Sequence, residues 1–327
     1  MKNSGWLQLC IDIMSMQIHY KWGDTESMRL FGVLSPHALS IVEHAYSNCN
    51  SDFSHLDNLP IICNVLGFGY RYNGNYSLSM DCYKKALFLQ ENVLGKLSGI
   101  RANLYYNIAW LYDEMNDVDS ALKWYLKDLA ICESVYGREG LSTAYTYDSI
   151  GSIYKKKCNY NKAMSYYKRA LYIFESTLGK NDPDVAVVCG HIAAVYAEKH
   201  SYDLSLMWHQ RDIKISETVL GIKHPDTAIA YHNLGITYYQ MGNYKKALMW
   251  FGKAIEIKCK ILGKNHPSLE VSIRSAAMAY FSICESQISF ADWLWDTCGI
   301  DQSVVLSIIG SDSRASDLNA NYSKHQK

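Results

Sequence analysis

One spacing recurs along most of this chain and restricts what it can fold into. Glycine occurs at five positions, each 42 residues after the last, and tyrosine and small residues recur in the same register. Such a fixed period is typical of a solenoid, in which each unit packs on its neighbours. The columns are Gly95, Gly137, Gly179, Gly221 and Gly263; Tyr112, Tyr154, Tyr196, Tyr238 and Tyr280; and Ser79, Ala121, Ala163, Ser205 and Ala247.

Within one period the apolar spacing is helical. Apolar or small side chains recur at intervals of three and four from residue 225 to residue 241, and again from about residue 244 to residue 262. Gly242 separates the two runs, Gly263 ends the second in the left-handed conformation, and Pro267 suits the first turn of the next helix. The sequence therefore predicts an all-α solenoid of helix–turn–helix units.

These residues resemble the tetratricopeptide repeat. The pattern of that family is met by Tyr231, Leu234, Gly235, Tyr238, Gly242, Ala247, Phe251 and Ala254. The 42-residue unit, with junctions such as "LGKNHP", is similar to the kinesin light chain subclass and to bacterial arrays of that subclass. The resemblance covers roughly residues 60–283. It implies a right-handed superhelical solenoid that binds a protein or peptide and catalyses no reaction.

Four regions follow from where the repeat begins and ends. A solenoid needs its last apolar face covered, and a tail rich in Ser, Asn, Asp and Lys favours disorder. The predicted regions are N-terminal helices with a degenerate repeat at 1–50, an array of five full units and the first helix of a sixth at 51–283, a capping helix at 284–309, and a disordered polar tail at 310–327. Trp293 and Trp295 are interpreted as packing within the cap.

The stretch before the array carries its own signals. One helix is predicted over residues 6–20 and another over residues 35–48, with Ser35 as N-cap and Pro36 at the first position. The sequence "VLSPHALSIVEHA" also resembles the lead-in to the repeats of bacterial signal-transduction NTPases. The chain has no G-x-x-x-x-G-K-[ST] motif, so the resemblance implies a stand-alone relative or a fragment without the NTPase itself.

Composition indicates which classes of partner and which cellular compartment are expected. The 32 basic and 32 acidic residues balance, which gives no support for nucleic acid or an anionic membrane as a partner. No run reaches 18 apolar residues, so no membrane span is expected. The ten cysteines form no C-x-x-C pair and are interpreted as reduced, mostly buried thiols of a cytoplasmic protein.

Residues that suggest catalysis or metal binding have structural explanations. His224, Pro225 and Asp226 fit an N-cap, a first-turn proline and a first-turn acid, so this tripeptide is interpreted as a junction between helices. His224 and His232 are eight residues apart and belong to no metal-binding motif. The sequence therefore predicts no enzyme activity, no cofactor and no metal.

Two acids interrupt a column of alanines in every second unit. Asp128 and Asp212 stand where other units have alanine, and a carboxylate at a packed position needs a partner. Pairing or capping by a neighbouring basic or backbone group is expected, with a ligand-binding role for the carboxylate as the alternative. The basic residues in the adjacent column are Lys85, Lys127, Arg169, Arg211 and Lys253.

The candidate site is the concave groove that the first helix of each unit lines in tetratricopeptide arrays. An aromatic and amide-rich wall suits a peptide, because amides bond a peptide backbone and rings anchor its side chains at low entropic cost. The asparagine column to which the resemblance assigns that role in kinesin light chains is matched by Asn107 and Asn233. The predicted groove residues are Phe68, Arg71, Tyr72, Tyr106, Asn107, Trp110, Asp113, Tyr145, Asp148, Lys155, Lys156, His191, His232, Asn233 and Tyr239.

The charges on this wall alternate in sign along the array. Arg71 is followed by Asp113 and Glu114, then by the lysines at 155–157, then by Glu198. They are either the solvated ends of ordinary helices or a groove that selects a ligand with a matching order of charges. The predicted function is a non-catalytic adaptor that binds a peptide or protein segment. The alternative is a sensor or regulatory module of a larger signalling NTPase or effector system.

Overall fold

The computed structural model describes residues 14, 25–48, 58–93, 99–264, 266–283, 290–300 and 308. In these ranges the regular structure is helical. The chain divides into two compact units, residues 1–166 and residues 167–327, called here the N-terminal and C-terminal units. The helices are α1 Thr25–Asn48, α2 Leu59–Tyr72, α3 Tyr76–Val93, α4 Gly99–Glu114, α5 Val118–Val135, α6 Leu141–Lys156, α7 Tyr160–Thr177, α8 Pro183–Glu198, α9 Tyr202–Val219, α10 Pro225–Gln240, α11 Tyr244–Leu262, α12 Pro267–Phe281 and α13 Phe290–Cys298.

The helices pack as the predicted helix–turn–helix repeat. The pairs α2/α3, α4/α5, α8/α9 and α10/α11 form the most extensive contacts, and the second helix of each pair packs on the first helix of the next. Because a single pair leaves one apolar face uncovered, this stacking builds the core. At the described ends, α1 packs on α2 and α13 packs on α11. The all-α solenoid class is confirmed.

Small residues let the two helices of a pair approach closely. A Cβ added to Gly235 would lie 2.7 Å from the ring of Phe251, and one added to Gly67 would lie 2.5 Å from the ring of Tyr83. Both rings are almost fully buried. Gly67 and Gly235 therefore allow the two helices of their pairs to approach closely.

The His-Pro-Asp tripeptide forms a junction between helices, as predicted. The Nδ1 atom of His224 accepts a hydrogen bond from the backbone N–H of Asp226 at 3.2 Å, and Pro225 opens α10. In the aligned junction before α8, the carboxylate of Asp182 accepts from the N–H of Asp184 at 2.9 Å. These side chains cap exposed helix N-termini, which explains the polar residues without a catalytic role.

The predicted start of α1 is wrong. Helix α1 begins at Thr25, so Ser35 is not its N-cap and Pro36 lies inside it. Proline in a helix interior costs about 3 kcal/mol, but Phe31 and Ala38, on either side of Pro36, are both buried. Phe31 packs so tightly on Gly69 of α2 that an added Cβ would lie 2.1 Å from its ring. This packing holds both halves of α1 in one helix.

Several predictions fall outside the described residues. They are the helix over residues 6–20, apart from Met14, and the disordered tail at 310–327. The proposed region boundaries near residues 50, 284 and 310 also lie there or at the edge of a described range. These remain predictions.

The two cap tryptophans differ in their surroundings. Trp293 stacks on Phe290 with ring centroids 5.6 Å apart and an angle of 16° between the planes. Trp295 is 56% exposed. The interpretation as cap packing is therefore confirmed for Trp293 and wrong for Trp295.

The turn between the helices of a pair requires a residue with positive φ. Gly74 and Gly242 meet this requirement at φ 74° and 75°. Asn116, Cys158 and His200 occupy the same place in other repeats, at φ 60°, 57° and 56°. Left-handed backbone costs most L-residues about 1–2 kcal/mol and asparagine least, so the turn at Cys158 is strained where the glycine turns are not.

Replacing Cys158 with glycine is expected to stabilise the protein by about 1 kcal/mol, because glycine adopts this turn without the steric cost. Cys158 is exposed, so little packing is lost. The free energy of unfolding from urea denaturation measures the effect. Cys158→Ala is the matched control, since it removes the thiol but keeps Cβ. Equal stability of the glycine and alanine variants would contradict the argument.

Candidate functional site

In each unit the first helices of consecutive repeats lie side by side and form a surface, called here the first-helix wall. In the N-terminal unit α2 contacts α4, and side chains of α4 bond to α6. In the C-terminal unit α8 contacts α10, and α10 contacts α12. Every residue predicted to line the groove lies on one of these helices.

Polar side chains of the N-terminal wall are bonded to one another across neighbouring helices. Asn107 Nδ2 donates to Asn64 Oδ1 at 2.9 Å, and the hydroxyls of Tyr106 and Ser149 lie 3.0 Å apart. Asn107 therefore already uses a donor that a peptide backbone would need. Asn64 is not among the residues predicted from the sequence to line the groove. A search for complementary residues 43 apart, one more than the period, would have found it.

Charges of this wall pair in the same way. Arg71 Nη1 lies 2.5 Å from Glu114 Oε1, and Lys156 Nζ lies 2.6 Å from Asp113 Oδ1. Both pairs again join residues 43 apart. Each of these four charges has a partner on a neighbouring first helix, and the side chains of Lys156 and Glu114 remain 41% and 32% exposed. The two interpretations of the alternating charges stay predictions.

Arg71 is the centre of a packed aromatic cluster. Its side chain is 3% exposed, and its Cζ atom lies 3.7 Å from the ring centroid of Trp110 and 5.0 Å from that of Phe68. Tyr106 contacts Trp110 edge-to-face at 6.3 Å, and burial raises the pKa of Tyr106. The cluster joins α2 to α4. These residues therefore hold the wall together and offer little to a ligand.

The remaining predicted residues of the N-terminal wall are only partly available. Tyr145 on α6 is 43% exposed. Tyr72, Asp148 and Lys155 are half-buried. All four already interact within the protein. Tyr145 is the most accessible aromatic of this set.

The C-terminal wall is different, because it exposes aliphatic side chains. On α10, Ile229 and Ile236 flank Asn233 on one face. Asn233 is half-buried, and the structure gives its side chain no hydrogen bond to any residue that it describes. The exposed aliphatic residues, with exposed fractions between 37% and 55%, are Val187, Ile229, Ile236, Val271 and Met278.

Three other predicted residues of this wall pack on aromatic neighbours. The ring of His191 lies 5.3 Å from that of Tyr167, and the ring of Tyr239 lies 5.3 Å from that of Tyr244. His232 is only 7% exposed and its ring lies 5.2 Å from Phe251. Burial lowers the pKa of His232 to about 4, with a further contribution from Lys258. His232 therefore lies between α10 and α11 rather than on the wall.

Asp128 and Asp212 are buried and neighbours donate hydrogen bonds to them. Thr146 Oγ1 donates to Asp128 at 2.6 Å, and Cys132 Sγ donates to it at 3.3 Å. Asp212 accepts from Ser216 Oγ at 3.3 Å. Burial raises the pKa of Asp128 to about 6 and that of Asp212 to about 7. Both carboxyls are therefore readily protonated.

The expected basic or backbone partner is wrong for Asp128, to which a hydroxyl and a thiol donate. For Asp212 a basic neighbour does contribute, because His191 opposes the rise in the pKa of that carboxyl. Side chains of the adjacent basic column instead lie over aromatic rings one helical turn earlier. Lys127 Nζ lies 3.9 Å from the ring centroid of Trp124, and Lys253 Nζ lies 4.3 Å from that of Trp250. A cation over an aromatic face is attracted by the ring quadrupole and keeps contact with water. The two aspartates lie in the packed interior between helices, where hydroxyl and thiol groups donate hydrogen bonds to them.

The described ranges show neither a metal-binding cluster nor a membrane-spanning helix. No three His, Cys, Asp or Glu side chains there are grouped as ligands for a metal ion. None of the helices of those ranges combines the length and apolar character needed to cross a membrane. Seven cysteines lie there as free thiols, and four of them are buried: Cys63, Cys82, Cys132 and Cys189.

Solved structures share this fold at low sequence identity. BtubC (BKLC) from P. vanneervenii is 22% identical, over 80% of this chain and 94% of that one, with a TM-score of 0.54. A Rap conjugation gene regulator of the plasmid pLS20, solved with the Phr* peptide, is 15% identical over 89% and 82%, with a TM-score of 0.59. A signal transduction ATPase with a tetratricopeptide repeat sensor from Pyrococcus horikoshii is 15% identical, with a TM-score of 0.58; the match covers 98% of this chain but 47% of that one.

The sequence itself carries the repeat signature. No curated protein matches this chain with significant sequence similarity. The tetratricopeptide repeat family matches residues 60–134, 117–176 and 184–260, which together make up more than half of the 327 residues. The resemblance to kinesin light chain-like repeats is confirmed at the level of the fold, because a putative kinesin light chain from Podosopora anserina is 17% identical over 61% of this chain and 94% of that one, with a TM-score of 0.51. The chain therefore belongs to the tetratricopeptide repeat family.

Proposed function

We propose that this protein is a non-catalytic interaction module that binds a peptide or protein segment on the first-helix wall of its C-terminal unit. Asn233 carries the proposal. An amide can donate to and accept from a peptide backbone, and this one has no hydrogen-bond partner among the described residues. Ile229 and Ile236 lie beside it and are exposed, so a ligand gains apolar burial together with backbone hydrogen bonds.

The exposed aliphatic residues suggest the chemistry of the ligand. Val187, Val271 and Met278 extend the apolar surface from α10 onto α8 and α12. A peptide with aliphatic side chains at successive contact points suits such a surface better than a highly charged one. This proposal moves the main contact away from Tyr106, Asn107 and Trp110, because those side chains already bond within the N-terminal wall.

The comparisons support a peptide ligand and suggest a second candidate function. The pLS20 regulator, which has this fold, was solved with a peptide bound. The Pyrococcus horikoshii ATPase carries a tetratricopeptide repeat sensor, and this chain spans 47% of its length. A sensor or regulatory module of a larger signalling system is therefore the second candidate, with an NTPase or effector as the partner.

Peptides selected from a random library against the purified protein are expected to bind at least tenfold more weakly to Asn233→Ala and to Ile229→Asp. The amide can form two hydrogen bonds of about 0.5–1.5 kcal/mol each, and a tenfold change in Kd corresponds to about 1.4 kcal/mol; a carboxylate at residue 229 opposes apolar burial. Fluorescence anisotropy measures the Kd. Met207→Asp is the matched control, because Met207 is an exposed apolar residue of the second helix α9. Equal weakening by Met207→Asp, or no weakening by the wall variants, contradicts the proposal.

A further inference from the structure

A cavity of about 360 Å³ opens beside the loop that joins α7 to α8. The loop and the second helix α9 line it, so none of its residues belongs to a first-helix wall. All of them lie within the C-terminal unit. The lining residues are Lys180, Asn181, Arg211, Lys214, Ile215 and Thr218.

Three cationic side chains line this cavity, and one of them is paired with a carboxylate. Arg211 is held in place by an ion pair with Glu175, and its Cζ atom lies 5.8 Å from the ring centroid of Trp208. Lys180 and Lys214 are exposed, and neither forms an ion pair with any part of the chain that the structure describes. The cavity therefore has an excess of positive charge, with one cation fixed in orientation and two free to move onto a ligand.

The repeat itself does not require this charge. The position of Lys214 is occupied by Tyr172 one period earlier and by Glu256 one period later. Glu256 pairs with Lys260 at 2.7 Å, which neutralises the corresponding surface of the next repeat. The residue after this position packs inward in all three repeats and is always isoleucine: Ile173, Ile215 and Ile257. Packing thus explains the isoleucine but not the lysine.

We propose that this cavity binds a small phosphorylated molecule. Arg211 presents a planar guanidinium that suits phosphate oxygens, and Lys180 and Lys214 add mobile charges. The side-chain amide of Asn181 supplies neutral N–H donors. Thr218 donates its hydroxyl hydrogen to the backbone oxygen of Lys214 at 2.6 Å. This hydroxyl therefore lines the cavity without donating a hydrogen bond to an anion.

The size of the cavity favours a ligand larger than one phosphate ion. Ile215 and the methylene stems of the lysines give it an apolar part beside the charges. A diphosphate, or a phosphate ester with a small organic body, fills such a space and meets both kinds of surface. This site goes beyond the peptide-binding proposal and does not depend on it.

Isothermal titration of the full chain with pyrophosphate and with adenosine diphosphate, at constant ionic strength, tests the site. Both ligands are expected to bind the wild-type protein, and Lys214→Glu is expected to weaken each at least tenfold. Lys223→Glu is the matched control. It makes the same change in charge one repeat later, where Lys223 aligns with Asn181, and it is expected to leave both affinities unchanged.

Two results overturn the proposal. One is that neither ligand binds wild type with a Kd below about 1 mM. The other is that Lys223→Glu weakens binding as much as Lys214→Glu, which would mean attraction to net charge rather than to this cavity. Asn233→Ala should not change either affinity, so failure here is separate from failure of the peptide site.

Discussion

Replacing Asp212 with asparagine is expected to stabilise the protein by about 2–4 kcal/mol at pH 8 but by only about 1 kcal/mol at pH 5. Burial raises the pKa of Asp212 to about 7, against about 4 in an unfolded chain. One pKa unit corresponds to about 1.4 kcal/mol. Ionisation of Asp212 therefore destabilises the native state, whereas asparagine stays uncharged at every pH in this range.

The direction follows from proton linkage. The folded protein binds this proton more tightly than the unfolded chain does, so stability falls as the pH rises from about 4 to about 7. Below that window both states are protonated and the group costs nothing. Above it both states are ionised and the full cost remains. Asparagine fits the site because it is close in size to aspartate, and Gly190 leaves room beside Asp212 Oδ2.

Urea denaturation at several pH values between 5 and 8 measures the effect. Asp128→Asn is the matched comparison and should gain less, because Thr146 and Cys132 both donate to Asp128 and its pKa rises only to about 6. A gain for Asp212→Asn that does not change with pH would show that the stabilisation has nothing to do with ionisation.

Asp128 and Asp212 show which features of a packed site can be predicted from the sequence. The alanine column located both positions, since a carboxylate where other repeats have alanine is visible in the period. It could not identify the partners, because Thr146 lies on the next first helix, 18 residues away from Asp128. The adjacent basic column was nearer in sequence, but its side chains extend over tryptophan rings towards solvent.

The repeat was predicted more fully than the wall. Columns at a fixed period predict which residues lie in helices and turns, because the same residue type recurs at the same place in several repeats. The orientation of a single side chain is not repeated in this way. Neighbours on a helix point about 100° apart, so Asn233 lies on the wall while His232 packs against Phe251. Asn64 was missed for a related reason, since its bond to Asn107 spans 43 residues rather than 42.

Strong local signals also failed where tertiary packing opposed them. Ser35 followed by Pro36 is a helix start in most contexts, yet α1 continues through both residues. Phe31 decides the outcome, since its ring is buried on Gly69 of α2. No spacing within residues 25–48 shows that contact, because Gly69 belongs to another helix.

Replacing Gly235 with alanine is expected to destabilise the protein by about 1–3 kcal/mol, although alanine favours helices over glycine. The new methyl group would lie 2.7 Å from two carbon atoms of the Phe251 ring. That ring is 1% exposed and also packs on His232, so it cannot move aside without disturbing other contacts. The cost of overpacking therefore exceeds the gain in helix propensity. Thermal and urea denaturation measure the difference.

Gly32→Ala is the matched control, because Gly32 lies within α1 and an added Cβ meets, among the described residues, no atom within 4 Å apart from the nearby backbone of its own helix. Helix propensity alone then determines the change in the free energy of unfolding, and this variant should be up to about 1 kcal/mol more stable than wild type. The two variants make the same chemical change, so the opposite signs isolate the close approach of α10 and α11. If Gly235→Ala is as stable as Gly32→Ala, the close approach of α10 and α11 does not require glycine at residue 235.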